Sequence, residues 1–254
     1  IPLSLEGIRN ETLMWLSKFT LNLLSLQVFV PSNHFYFSFN GVAWNLAVML
    51  IFYMCFPFLI RLLSKFSFKG FTLIMVFIVV FISLSMEVIP EKWHHYLFYI
   101  SPYYRIFDFI FGIYLYKLLQ QLTFKPSYRT ASFIEIAVVI LCVLLFVWAN
   151  SNYNSLKPYI YSLYLWIPLA AVFVGFYYDK GVISKYILSS KYMLALGNLS
   201  YSFYMIHQLV IRYFRQSNHN WQLDNNLLYF LCFFLSLGLS YMSYTYFERL
   251  FYKK

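Results

Sequence analysis

The 254-residue chain is 61% apolar and 24% aromatic, with 11% charged residues, well under the roughly one quarter charged that a soluble domain carries. Its net charge of +10 would argue for nucleic acid only if the basic residues gathered on one face or run; they sit in small groups between apolar segments, the pattern of an integral membrane protein. Cys55, Cys142 and Cys232 lie apart in apolar segments, so neither a disulfide framework nor a metal-ligand spacing is indicated, and they are expected to be small core residues.

The chain opens IPLSLEGIRN, without an initiator Met, a basic leader or a signal-peptide pattern, and reads as a fragment of a longer protein. Leu13 to Val30 suits a first span with Lys18, Asn22 and Gln27 turned toward neighbouring helices, or an interfacial helix. Pro31 to Asn40 is an outer loop. Val42 to Leu63 then anchors the topology. Its first nineteen residues carry no formal charge, and Arg61, Lys65 and Lys69 follow. About 20 apolar residues at ~1.5 Å each cross a hydrocarbon core of ~30 Å. Pro57 argues against a central strand, and basic residues beside short loops stay on the cytoplasmic side.

Phe71 to Met86 returns outward to Glu87, Glu91, Lys92, His94 and His95. Tyr96 to Leu119 goes in, carrying Arg105 and Asp108; Phe133 to Ala149 goes out to the polar loop NSNYNSLK. Tyr159 to Tyr178 comes back with a kink at Pro168, Met193 to Ile211 goes out, and Leu227 to Phe247 returns to a basic tail. The inner loops and tail then hold twelve Lys or Arg against five on the outer side, as the positive-inside rule demands. The expected fold is an all-α, polytopic transmembrane bundle of about eight spans, one domain over 1–254, with both ends of the chain cytoplasmic.

Ionisable groups inside spans are costly and mark candidate sites. Arg105 and Asp108 in YYRIFDFIFG are three residues apart, on one helix face, where they form either an internal neutralising pair or a site in which Arg105 meets an anionic substrate group. In GNLSYSFYMIHQ, Ser200, Tyr204 and His207 fall on one stripe and Tyr201 with Gln208 on the next. Seven helical residues put Ser200 and His207 ~10.5 Å apart, too far for a direct nucleophile and base pair; the stripe fits a polar cavity wall, or His207 is a packing residue. Trp44 is a second candidate contact or a belt aromatic. His94 and His95 are adjacent and poorly spaced for one metal, Glu135 is expected to reach the headgroups, and no phosphate-binding loop is present.

These residues resemble a known family. VAWNLAVMLIFYMCFPFL is similar to the W-S-L-x-x-E-x-x-F-Y-x-x-x-P segment of the acyltransferase 3 family of membrane acyltransferases, RIFDFIFG to its R-x-x-E/D-F-x-x-G, and LGNLSYSFYMIH to its L-G-x-x-S-Y-x-x-Y-x-x-H. The three occur in the family's order over most of the chain. The resemblance implies about ten spans in the whole protein, of which the first two, with a catalytic His and an R-x-x-R motif, would precede Ile1, so that the fragment alone would be inactive. Met49 departs from the family's usual Glu.

The implied activity moves an acetyl or other acyl group from cytoplasmic acyl-CoA, acetyl-CoA foremost, to a hydroxyl of a cell-surface polysaccharide or glycolipid such as O-antigen or exopolysaccharide, in a bacterial inner membrane. No bound cofactor or metal is implied, and the partners are the lipid bilayer, the acyl-CoA and the glycan. His207 would be the direct participant within these residues, with Trp44, Arg105, Asp108, Ser200, Tyr201 and Tyr204 lining the substrate cavity. The alternatives are a transporter or flippase of lipid-linked glycans, and a catalytically inactive acyltransferase-like protein.

Overall fold

A computed structural model describes residues 5–252; Ile1, Pro2 and the tail lysines Lys253 and Lys254, used above for topology, lie outside them. Every regular element among the described residues is helical. In chain order they are α1 (Leu5–Leu23), the short α2 (Asn33–Tyr36), α3 (Ala43–Leu63), α4 (Phe68–Val88), α5 (Pro102–Leu119), α6 (Tyr128–Ser151), α7 (Tyr153–Ile160), α8 (Leu163–Phe176), α9 (Lys191–Trp221), α10 (Asn225–Ser243) and the terminal turn α11 (Arg249–Tyr252).

Among the described residues, four segments are long and apolar enough to cross a membrane: α3, α4, α6 and the run Asn225–Phe251; α8 is apolar but short. Their exposed faces are lined with Leu, Val, Ile and Phe, as a lipid solvent requires. The eight-span expectation goes beyond these four. The charges of α5 and the mixed character of α1 and α9 keep those helices outside the criterion of length and apolarity.

Several boundaries differ from the sequence reading, each for a local reason. The first helix stops at Leu23 rather than Val30, because Ser25 adopts a left-handed φ of 57° and the Leu26 N–H closes back on Leu21 O, satisfying the helix-end carbonyls. Tyr96 to Leu119 is two elements. A π-helical turn, His95–Ile100, ends at Ser101, whose extended backbone (ψ 134°) precedes Pro102 and whose Oγ accepts from Tyr103 N; a residue before proline avoids the α region. The polar loop NSNYNSLK is largely α7, and α8 starts afresh after Ser162 (φ −148°, ψ −84°). α9 runs to Trp221, so Arg212 and Arg215 lie on it rather than in a loop.

The core has three parts. Phe71, Met75, Ile78 and Ile82 of α4 pack with Phe98, Ile113 and Trp166. Val28, Tyr36, Trp44, Ala47, Val48, Phe52, Tyr96 and Ile100 form a second cluster around the start of α3. Val210, Leu228 and Cys232 join α9 to α10, the most extensive helix pairing. Cys232 is buried, whereas Cys55 and Cys142 are only half-buried.

Glu135 does not reach toward headgroups. It is 1% exposed, and its carboxylate accepts from Gly181 N, Ile183 N, Ser184 N and Ser184 Oγ at 2.6–3.1 Å. An anion set against this row of N–H groups ties α6 to the turn after α8. The approach is so close that a Cβ on residue 181 would sit 2.2 Å from the carboxyl carbon, which explains Gly181. Glu135→Ala strands four buried donors at about 1–3 kcal/mol apiece if none finds water. The expected loss is about 3 kcal/mol or more, read as a lower unfolding temperature in detergent, with Glu135→Gln in between.

Candidate active site

The polar centre of the bundle is Asp108, about 9 Å along α5 at 1.5 Å per residue. Its Oδ2 pairs with Arg105 Nη1 at 2.6 Å. Its Oδ1 accepts from Trp166 Nε1 at 2.6 Å and from Ser162 Oγ at 3.0 Å. The expected Arg105–Asp108 pair therefore forms, inside a larger cluster that joins α5 to α8. Trp166 and Ser162 were not singled out in the sequence; the signal for them is an i, i+4 pair of hydrogen-bond donors in an otherwise apolar run. Arg105 Nε is buried without a partner, leaving one guanidinium donor unclaimed.

Asp108 heads an apolar groove of about 610 Å³ between α3 and α5, walled by Phe56, Ile60, Phe109, Gly112, Ile113 and Tyr116. A second cavity of about 230 Å³, lined by Ser64, Lys117 and Gln120, shares Ile60, Ile113 and Tyr116 with it. Together they connect Asp108 to the end of the bundle that carries Arg61, Lys65, Lys69 and Lys117. Lys117 Nζ is placed there by a 2.8 Å bond to Phe66 O. Gly112 faces open space, with nothing within 4 Å of where a Cβ would stand.

The motif on α9 is divided between two environments. Tyr204 turns toward α3, donating to Val42 O at 3.1 Å with the Asn45 side chain beside its hydroxyl. Asn40 Nδ2 donates to Met205 O at 2.9 Å, Arg212 Nη1 to Phe39 O at 2.9 Å, and Gln208 packs on Gly41. These contacts staple α9 to the loop before α3. His207 stacks on Phe203 at 5.7 Å and lies 6.0 Å from the Tyr204 ring. Its Nδ1 donates to Phe203 O at 3.0 Å, since a carbonyl only accepts, and Nε2 lies outside that bond.

Ser200 and Tyr201 are not beside them. Ser200 Oγ donates to Gly197 O in its own helix, and Tyr201 is 52% exposed, so both face away from the packed interior. Ser202, between them and Tyr204, is buried and hydrogen-bonds Glu248. Trp44 is buried, 4.9 Å from Tyr99. Met49, at the position of the family's Glu, is 39% exposed on α3.

At the opposite end from the basic residues, His94 and His95 border a cavity of about 330 Å³ with Glu91, Asn154, Lys157 and Tyr161. His94 Nε2 donates to Ile89 O at 2.7 Å. His95 is ringed by Tyr36, Phe37, Tyr99 and Tyr161 at 5.4–6.4 Å, and burial pushes its pKa below the ordinary 6.5. The Lys157 ammonium, by hydrogen bond and charge, holds the Glu91 carboxyl below its usual range.

A membrane-embedded helical bundle with an ion pair at the head of an apolar groove and a His in a second helix is equipped for chemistry on a group sheltered from water. A family model described as an acyltransferase domain matches residues 3–245. The chain belongs to the acyltransferase 3 family and is an integral membrane acyltransferase. No curated protein and no solved structure matches it.

Asp108→Ala leaves Arg105 without its counter-charge and Trp166 and Ser162 without an acceptor, and is expected to cost about 3–5 kcal/mol. Asp108→Asn also removes the charge opposite Arg105 but keeps an acceptor at Oδ1 for Trp166 and Ser162, and is expected to cost about 1–2 kcal/mol less than the Ala variant; thermal unfolding of the two variants measures the gap. For His95 the sign follows from a folded pKa below the unfolded one. The unfolded chain binds the proton first, so stability falls as pH drops below about 6.5 and levels off below the folded pKa. His95→Gln removes that contribution, flattening the pH dependence of the melting temperature in this window.

Proposed function

We propose that the protein is an O-acyltransferase of about eight spans in a bacterial inner membrane. It moves an acyl group, acetyl foremost, from cytoplasmic acyl-CoA to a hydroxyl of a cell-surface polysaccharide or glycolipid. The observation that carries this reading is the pair of adjoining pockets that share Ile60, Ile113 and Tyr116, one reaching Lys117 at the basic end and the other Asp108, the ion-pair partner of Arg105. A donor with anionic phosphates and a long thin arm fits these pockets, phosphates at Arg61, Lys65, Lys69 and Lys117, arm in the groove, and thioester carbonyl toward the Asp108 end.

Acyl transfer needs a base on the acceptor hydroxyl and donors to the developing oxyanion. Arg105, oriented by Asp108, supplies charge of the right sign for the oxyanion. Within these residues His207 Nε2 is the group able to take a proton, and Tyr204 fixes the wall beside it. The C-terminus is on the cytoplasmic side in this arrangement, by the distribution of Lys and Arg.

One observation favours a second reading, transport of a lipid-linked glycan. The α7–α8 helix is interrupted at Ser162, where the broken backbone delivers a hydroxyl to a buried charge, as discontinuous transporter helices do. Radiolabelled acetyl-CoA separates the two, since label passes to polysaccharide only in the enzyme. In the complete protein, His207→Ala is expected to lower that transfer at least tenfold at normal expression. Unchanged acetylation would remove His207 from the mechanism, and absence of label in the wild type would favour transport.

A further inference from the structure

The cavity at the His95 end belongs neither to the Asp108 groove nor to the α9 motif. Its walls come from distant parts of the chain: Glu91, His94 and His95 from the turn after α4, Asn154 and Lys157 from α7, and Tyr161 from the break before α8. Glu91 and Lys157 pair across it at 2.5 Å, so the two formal charges cancel. His94 is spoken for by Ile89 O. Among the described residues, His95 and Asn154 have no hydrogen-bond partner for their side chains, although both line the cavity. A half-buried imidazole with neither nitrogen bonded within the protein is open to a ligand that both donates and accepts.

The remaining wall is aromatic. Tyr161 stands edge-on to His95 at 5.9 Å, Tyr99 lies 5.4 Å from His95 and 6.0 Å from Tyr161, and Trp44 follows at 4.9 Å from Tyr99. Trp44 begins α3 beside Asn45, which adjoins the Tyr204 hydroxyl. A line of rings thus leads from the cavity to the α9 motif.

Electroneutral walls, free hydrogen-bonding groups of mixed polarity and ring faces select a particular chemistry. An anion meets the Glu91 carboxylate with no uncompensated cation to hold it; a hydrocarbon leaves His95 and Asn154 unpaired. A pyranose ring satisfies all three demands. Its hydroxyls donate and accept, and its axial C–H bonds present weak positive charge to the negative face of an aromatic ring. The volume, about 330 Å³, is at the lower end of small-molecule sites and suits one sugar unit with neighbours leading out.

We propose that this cavity is an acceptor subsite that holds a neutral sugar residue of the glycan, stacked on Tyr161 and hydrogen-bonded by His95 and Asn154, on the membrane side opposite the donor's basic entrance. The proposal rests on the acyl-transfer reading for the word acceptor, while the sugar site itself stands under either reading of function.

The test uses the complete protein in nanodiscs and, as probe, oligosaccharides cut from the host's own de-O-acetylated surface polysaccharide. Tyr161→Ala and Asn154→Ala are expected to raise the probe's Kd, and the acceptor KM, at least tenfold, with the KM for acetyl-CoA unchanged and kcat within about threefold. Tyr161→Phe, which keeps the ring face, retains most of the affinity, and a circular dichroism melt confirms each variant is folded. Wild-type transfer with unchanged probe binding in folded Tyr161→Ala and Asn154→Ala overturns the site and leaves the acyltransferase reading standing. Probe binding that is lost in those variants, in a wild type that never transfers label, upholds the site and overturns the enzyme reading.

Discussion

A carboxylate inside an apolar bundle has to be compensated where it stands, and Asp108 sets the terms for the helices around it. Arg105 on its own helix supplies the opposite charge. Two more donors are needed for the remaining oxygen, and they come from Ser162 and Trp166. The chain interrupts helix geometry at Ser162, which donates to Asp108, and restarts at once as α8, which carries Trp166. Trp166 then serves twice, because its ring also stacks on Phe111 at 4.4 Å. The rotation of α8 about its axis is fixed by one acid on α5, and so is the head of the groove between α3 and α5.

The far end of α8 is held by the same kind of device. Glu135, on α6, gathers the turn after α8 through three backbone N–H groups and the Ser184 hydroxyl. Between these two acids α8 has only fourteen residues, and Leu165, Ile167, Leu169 and Phe173 are exposed. In lipid such burial would contribute little in any case, since tails are as apolar as the side chains. Location by two carboxylates, the half-buried Asp108 and the buried Glu135, is therefore what gives this short helix a defined place.

The sequence made α3, α4 and α6 legible, since an uncharged run of sufficient length has one outcome in a membrane and its ends are marked by charge. It made the Arg105–Asp108 pair legible because spacing of three on a helix is local. What it hid was every feature decided by a partner far along the chain. The end of α1 at Ser25 rests on a left-handed non-glycine residue, which carries little sequence signature; the break at Ser101 was available from the proline after it but is smoothed over in a hydropathy window. The stripe on α9 shows the limit of periodicity. Spacing tells which residues share a face, not which face turns inward, so Tyr204 meets α3 while Ser200 and Tyr201 look outward. Glu135 looked like a headgroup contact because its donors lie some fifty residues away.

The two ends of the molecule differ in a way that bears on how an acyl group could cross between compartments. At one end basic residues surround the mouth of a long apolar groove, suited to a phosphate-rich molecule with a thin arm. At the other, charges cancel, rings replace aliphatic walls and free hydrogen-bonding groups remain, suited to an uncharged polyhydroxy compound. A soluble enzyme can let both substrates enter one cleft from one solvent. A membrane enzyme whose substrates are confined to opposite sides needs two unlike entrances, and a route between them too narrow for water to follow freely. The apolar groove up to Asp108 and the aromatic line from Tyr161 through Tyr99 and Trp44 toward Tyr204 are unlike in just this way. Arg105 and Asp108 stand at the head of the one, and His207 lies close by Tyr204 at the inner end of the other.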